Sequence, residues 1–167
     1  MNRRWLYVSS VLVFLATAFA QEEQNGLQVE VSRKTVARND SRNTGFYDQQ
    51  INRVMALHVV VKNVSMKAFP AGEIDYSLLV NKVDYYPTHY ELYTGTEKLA
   101  ALQTGESADV VIGAAQINGY RDFSAQRKDK MDYQVIIKHG GVETARFSSM
   151  EDFDTIASTA QKMRSGN

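Results

Sequence analysis

The sequence predicts an all-β protein: two packed antiparallel sheets of about seven strands, with a short helix at the C-terminal end. Three observations carry this. Apolar residues recur with a period of two in stretches separated by turn-forming clusters, at the spacing of hairpins. No segment of helical period stands between those stretches, which argues against the alternating strands and helices of a parallel sheet. The period changes only near the end, where Phe153, Ile156, Ala157 and Ala160 fall at i, i+3, i+4 and i+7, one face of a helix.

The first residues speak to compartment. Arg3 and Arg4 precede an almost wholly apolar run over residues 6–18, and Ala18-Phe19-Ala20 fits a small-x-small cleavage site. The expectation is a signal peptide over residues 1–20, cut before Gln21, and export to the periplasm or the extracellular space. The apolar run is short for a membrane span and Gln21-Glu22-Glu23-Gln24 follows directly, so no stable membrane anchor is expected after cleavage. Trp5-Leu6-Tyr7 continues the arginine pair poorly as a twin-arginine signal.

Of 167 residues, 147 then remain, enough for a single sandwich domain over 21–167 with its helix at 150–164. Arg3 and Arg4 leave with the leader and no acid does, so the formal charge moves from 0 to −2. That balance gives no electrostatic case for nucleic acid as a partner. The chain has no cysteine, which excludes disulfides, thiolate zinc sites and thiol nucleophiles and leaves the hydrophobic core to hold the fold.

Taken in order, residues 21–26 are polar and read as a loose leader. Leu27, Val29 and Val31 alternate with Gln28, Glu30 and Ser32, a first half-exposed strand. From residue 37 to 53 the apolar pattern lapses through Arg38-Asn39-Asp40-Ser41-Arg42-Asn43-Thr44-Gly45, which predicts a long polar loop anchored by Phe46 and Tyr47. The central strand spans residues 54–65, with Met55, Leu57, Val59 and Val61 on one face.

Phe69-Pro70-Ala71-Gly72 supplies a turn. Ile74, Tyr76, Leu78 and Val80 then face one way and Glu73, Asp75, Ser77 and Asn81 the other, a strand with water on one side. Residues 85–93 form a tyrosine-rich strand interrupted by Pro87, which assigns it to a sheet edge. Leu99 and Leu102 lead to a turn at Gly105-Glu106-Ser107 and a strand through Ala108, Val110 and Ile112. Residues 118–130 predict a second polar loop. Met131, Tyr133, Val135 and Ile137 restart the alternation, and Gly140-Gly141 closes a hairpin into residues 142–147. Ser149 with Asp152 predicts the cap of the final helix, with Glu151, Asp152 and Asp154 at its positive end.

Two of these stretches resemble a known family. Val59-Val60-Val61-Lys62-Asn63-Val64-Ser65 resembles the V-x-V-x-N-x-S strand of small exported bacterial immunoglobulin-like domains, including the FxLYD type. Leu99-x-x-Leu102-x-x-Gly105-Glu106-Ser107 resembles their L-x-x-L-x-x-G-E-S crossing. Tyr76-x-Leu78-Leu79 stands where their aromatic-x-Leu motif would, without the acid that follows it. The resemblance implies an immunoglobulin-like β-sandwich in the cell envelope, with the Asn and Ser closing the turn after the second core strand. It implies no functional residue.

Catalytic spacing is missing. His58, His89 and His139 form no His-x-His or H-E-x-x-H array, the acids at residues 151–154 lack a calcium-loop pattern, and neither G-x-S-x-G nor S-x-x-K with its partner motifs occurs. No cofactor is expected. What stands out is tyrosine. Tyr85-Tyr86-Pro87-Thr88-His89-Tyr90-Glu91-Leu92-Tyr93 holds four of the nine tyrosines. With Tyr90 and Leu92 turned inward, Tyr86, His89, Glu91 and Tyr93 would form a partner-binding patch of aromatic area and polar tips. The expected function is a non-catalytic binding module of the envelope, its partner a protein or a glycan. A structural subunit assembling by strand addition through residues 21–31, and so a homo-oligomer, is the second reading, and an enzyme with a loop-borne site the third.

Overall fold

The computed structural model describes residues 20–42, 49–83, 89–121 and 126–165. They form β1 (Ala20–Gln24), β2 (Leu27–Arg38), β3 (Ser41–Arg42), β4 (Gln49–Asn63), β5 (Gly72–Lys82), β6 (His89–Leu99), β7 (Ser107–Arg121), β8 (Gln126–Lys128), β9 (Lys130–His139), β10 (Val142–Ser148) and α1 (Phe153–Ser165). The larger sheet runs β1-β2-β4-β7-β8, with β3 beside the start of β4; the smaller runs β10-β9-β5-β6. Every pairing between them is antiparallel. Seven long strands make the sandwich, β2, β4 and β7 facing β10, β9, β5 and β6. This is an immunoglobulin-like arrangement in which the fourth long strand, β6, pairs with β5 in the second sheet.

The expected alternation builds the core. Leu27, Val29 and Val31 of β2, Leu57, Val59 and Val61 of β4, and Ile74, Leu78 and Val80 of β5 pack against Met131, Tyr133, Val135 and Ile137 of β9. Gly140 and Gly141 both take positive φ, 57° and 79°, as a tight hairpin with the right-handed strand twist requires. β6 lies at the sheet edge.

Several expectations are corrected. The leader is not loose: β1 pairs with β2 from Ala20 opposite Val31 to Gln24 opposite Leu27, through a turn at Asn25 (φ 51°) and Gly26 (φ 77°). The stretch that motivated strand addition is thus paired within the chain. Neither polar stretch is simply a loop. β2 continues to Arg38, β4 begins at Gln49, β7 continues to Arg121 and β8 folds back on it. Backbone pairing carries these extensions, and because much of their surface is wet they lack the apolar alternation that marks a strand in sequence.

The outer face of β5 is not wholly wet either. Leu79 is buried under α1 with Phe153 and Ala160, and Tyr90, Leu92 and Ile156 pack around them. The helix starts at Phe153 and not at 150, with the Asp152 carbonyl accepting the Ile156 N–H at 3.2 Å. Ser149 is no cap. Its hydroxyl accepts the Tyr133 N–H at 2.8 Å and donates to Asp132 Oδ1 at 3.0 Å, which ties the chain to β9 before the helix begins. Asp154 does lie in the first turn, and it bonds Gln134 at 2.9 Å and Arg146 at 3.2 Å.

The sheets end at different levels. Beyond Met55 the larger sheet runs on, while β5 ends at Lys82, β6 begins at His89 and β9 begins at Lys130. The overhang of about five residues reaches roughly 16 Å at the rise of a β-strand. Two irregularities mark its base: a register shift in β2 between Thr35 and Ala37, and one in β4 between Met55 and Leu57, opposite Gly113 at φ 67°. Bulges bend a strand and re-aim its side chains, and here they do so where the second sheet stops.

Candidate functional site

The period of two in β5 sends Lys82 into the space between the sheets, in line with Leu78 and Val80. Its ammonium reaches Asp129 Oδ2 at 3.1 Å and Glu91 Oε2 at 3.2 Å. Asp129, in the corner between β8 and β9, also accepts the N–H of Val83 and of Asn118, each at 3.0 Å. Lys82 and Asp129 side chains are only 9% and 4% exposed, so the pair is a desolvated one, with Glu91 at 36% linking it to the surface. The Tyr93 hydroxyl completes the chain of contacts by donating to Glu91 Oε2 at 2.6 Å.

Electrostatics follow from this packing. Burial alone would lower the Lys82 pKa, but the carboxylates of Asp129 and Glu91 outweigh it and hold the ammonium above its ordinary value. Burial, and then the bond to Glu91, pushes the Tyr93 phenol up. Lysine and tyrosine both keep their protons at neutral pH. The network holds charge in place.

Beside it, on the other side of Asp129, a cleft of about 230 Å³ opens between the sheets. Met55, Ile117 and Met131 give it apolar walls, and Arg33, Lys128 and Lys130 stand at its mouth. Arg33 lies 5.3 Å from the centre of the Tyr133 ring and 3.3 Å from Asp132, which orients its guanidinium at the opening. The cleft is smaller than a typical small-molecule pocket, so it suits one group of a larger ligand. A shallower cleft of about 590 Å³ lies at Gly72, Lys98, Lys138 and Gly140, at the opposite end of β5.

Further out on the overhang, Asp40 is clamped between Arg53 at 2.6 Å and Arg38 at 2.7 Å. The Arg53 bond leads the causes that hold its carboxyl far below the usual range. A depressed carboxyl contributes stability in full above its unfolded value of 3.8, and the contribution is lost as pH falls through the folded value. Wild-type melting temperature should therefore fall more steeply below pH 4 than that of Asp40→Asn, followed by circular dichroism. Parallel acid limbs would show that the clamp does not couple to folding.

The four residues expected to bind a partner fare differently. Tyr86 lies outside the described residues. His89 is exposed at the start of β6. Glu91 and Tyr93 point the opposite way from the expectation: opposite Val80 and Leu78 in register, they face the other sheet, and Tyr93 packs on the main core. Tyr90 and Leu92, expected inside the sandwich, sit under α1. Both faces of β6 are partly covered over residues 90–93, one by the opposing sheet and one by the helix, so alternation alone could not orient it. Lys82 was legible by extending the β5 alternation one more step; Asp129, in a stretch without period, carried no signal.

Among the described residues no three histidine or acidic side chains converge as a metal site, and no helix is long and apolar enough to cross a membrane. No protein-family model matches the chain, and no curated protein matches it. Among solved structures it is similar to a crystal structure of a protein from Akkermansia muciniphila, at 14% identity and a TM-score of 0.33, covering 81% of this chain and 76% of that one. The class that fold and site define is an immunoglobulin-like β-sandwich with a charged, partly open end.

Proposed function

We propose that this is a non-catalytic binding module exported to the cell envelope, which takes a protein or glycan partner at the open end of the sandwich. The observation that carries the reading is the cleft under the overhang, with the oriented Arg33 and the exposed Lys128 and Lys130 at its mouth and a locked ion pair beside it. A rigid frame of this kind lowers the ordering cost of binding. His89, opposite Lys82 in register, and the partly exposed Glu91 stand near the same end, which supports including them in the proposed surface.

The test is capture of envelope proteins and envelope glycan by the immobilised exported protein, with Arg33→Ala, Lys128→Ala and His89→Ala proteins in parallel. A partner held by the wild type and weakened by these changes supports the reading. Undiminished capture by all three would move the site elsewhere, and chemical turnover of the captured material would replace binding with catalysis.

A further inference from the structure

The register of the overhang sorts its bases by face. In β4, Ile51, Arg53 and Met55 share the inward face, and the pairing extends it to Arg38 of β2, to Ile117, Gly119 and Arg121 of β7, and to Lys128 of β8 opposite Gly119. Arg33, opposite Leu57, belongs to the same face. Arg33, Arg38, Arg53, Arg121 and Lys128 thus stand on one side of one sheet. The outward face of the same strands carries Lys34 and Arg127 among Gln50, Asn52, Gln116 and Asn118. The acids described nearby are each engaged: Asp40 by Arg38 and Arg53, Asp132 by Arg33, Asp129 by Lys82. Arg121 and Lys128 are exposed, and among the described residues no ion pair holds either.

From this we infer that the inward face of the overhang is the binding surface for a linear acidic polysaccharide, an inference that rests on the binding-module reading above and names its ligand. Three features select that ligand. Guanidinium groups make paired hydrogen bonds to carboxylate or sulfate oxygens: Arg121 is in no ion pair among the described residues, and Arg33 and Arg38, which each meet their aspartate through one nitrogen, keep further N–H groups. From β2 to β8 the bases span three strand-to-strand steps, about 14 Å, which matches several sugar units and exceeds a single anion. The apolar walls of the cleft beside Lys128, formed by Met55, Ile117 and Met131, offer the C–H faces of a sugar ring a surface that a bare polyanion would not use. The near-neutral charge of the whole chain provides no long-range field for any polyanion, so recognition depends on this local face.

The experiment compares two double variants with equal charge loss. Arg121→Ala with Lys128→Ala removes two inward bases; Lys34→Ala with Arg127→Ala removes two outward ones. Binding of the full exported protein to a heparin oligosaccharide is measured by calorimetry across a salt series, with neutral dextran and a single-stranded oligonucleotide as further probes. The inward pair should weaken heparin binding at least about tenfold and lower the salt slope by about two, as the loss of two charge contacts requires. The outward pair should stay within about twofold of wild type. Equal losses from both pairs, or oligonucleotide binding as tight as heparin with the same salt slope, would overturn the assignment in favour of unspecific charge attraction. Tight dextran binding insensitive to both pairs would overturn the acidic ligand while keeping a glycan-binding module. Binding of none of the three would overturn the polysaccharide assignment, leaving the module to be judged by the capture experiment.

Discussion

Asn63→Ala should lower the melting temperature by about 10 °C, the effect of roughly 3–4 kcal/mol in a domain of this size. Asn63 is 0% exposed at the end of β4, and its amide makes four hydrogen bonds. Nδ2 donates to the carbonyls of Lys67 at 2.8 Å and Leu102 at 3.0 Å, and Oδ1 accepts from the N–H of Ser65 at 3.0 Å and its hydroxyl at 2.7 Å. Its backbone joins the same knot, with its N–H on Glu106 and its carbonyl taking the Gly105 N–H. Alanine would strand these partners where water cannot replace the lost amide. The sharper comparison is Asn63→Asp. A carboxylate would face two carbonyl oxygens with no proton to give them, so this variant should be less stable than Asn63→Ala at pH 7. Its buried carboxyl would have a raised folded pKa, so the deficit should shrink as pH falls and the acid regains a donor proton. An Asn63→Asp protein as stable as wild type at neutral pH, in thermal denaturation, would refute this account of the turn.

That turn shows where sequence reads well. The pattern predicts a strand running to Ser65, and the resemblance implies that Asn63 and Ser65 close the turn after it; β4 ends at Asn63, where one short amide satisfies several backbone groups as the chain turns. The alternation at Leu57, Val59 and Val61, and again at Met131 to Ile137, was equally legible, since burial between two sheets enforces a period of two. Legibility ends where burial stops being one-sided. In β6 both faces are partly covered over residues 90–93, so Tyr90 and Tyr93 could not be told apart as inside and outside. In the overhang much of the surface is wet, so residues 37–53 and 118–130 read as loops although β2 runs to Arg38, β4 starts at Gln49 and β7 runs to Arg121, paired residue by residue. The site suffers from both effects. Its bases are scattered over residues 33 to 128, and only register brings them to one face.

The buried pair under the overhang yields the second large effect. Asp129→Ala should cost about 3–5 kcal/mol, the usual result of removing one partner from a desolvated ion pair, and so lower the melting temperature by about 10 °C or more. The loss goes beyond one contact. Lys82 would keep Glu91 as its one charged partner, beside the Gln116 carbonyl at 3.4 Å, and the N–H groups of Val83 and Asn118 would lose their acceptor. Lys82→Met should cost less, because Asp129 would retain those two N–H donors and methionine would fill the space of the lysine stem. The order Asp129→Ala below Lys82→Met is therefore the diagnostic result. Lys82 also sets a pH dependence of opposite sense to that of Asp40. Its folded pKa is raised, so its contribution is complete below the unfolded value of 10.5 and is lost as pH rises through the folded one. Wild type should thus lose its advantage over Lys82→Met only in strong alkali. If Lys82→Met proved the more damaging change, or if its deficit did not narrow above pH 10.5, the corner would owe its stability to packing around the lysine stem and not to the charge it carries.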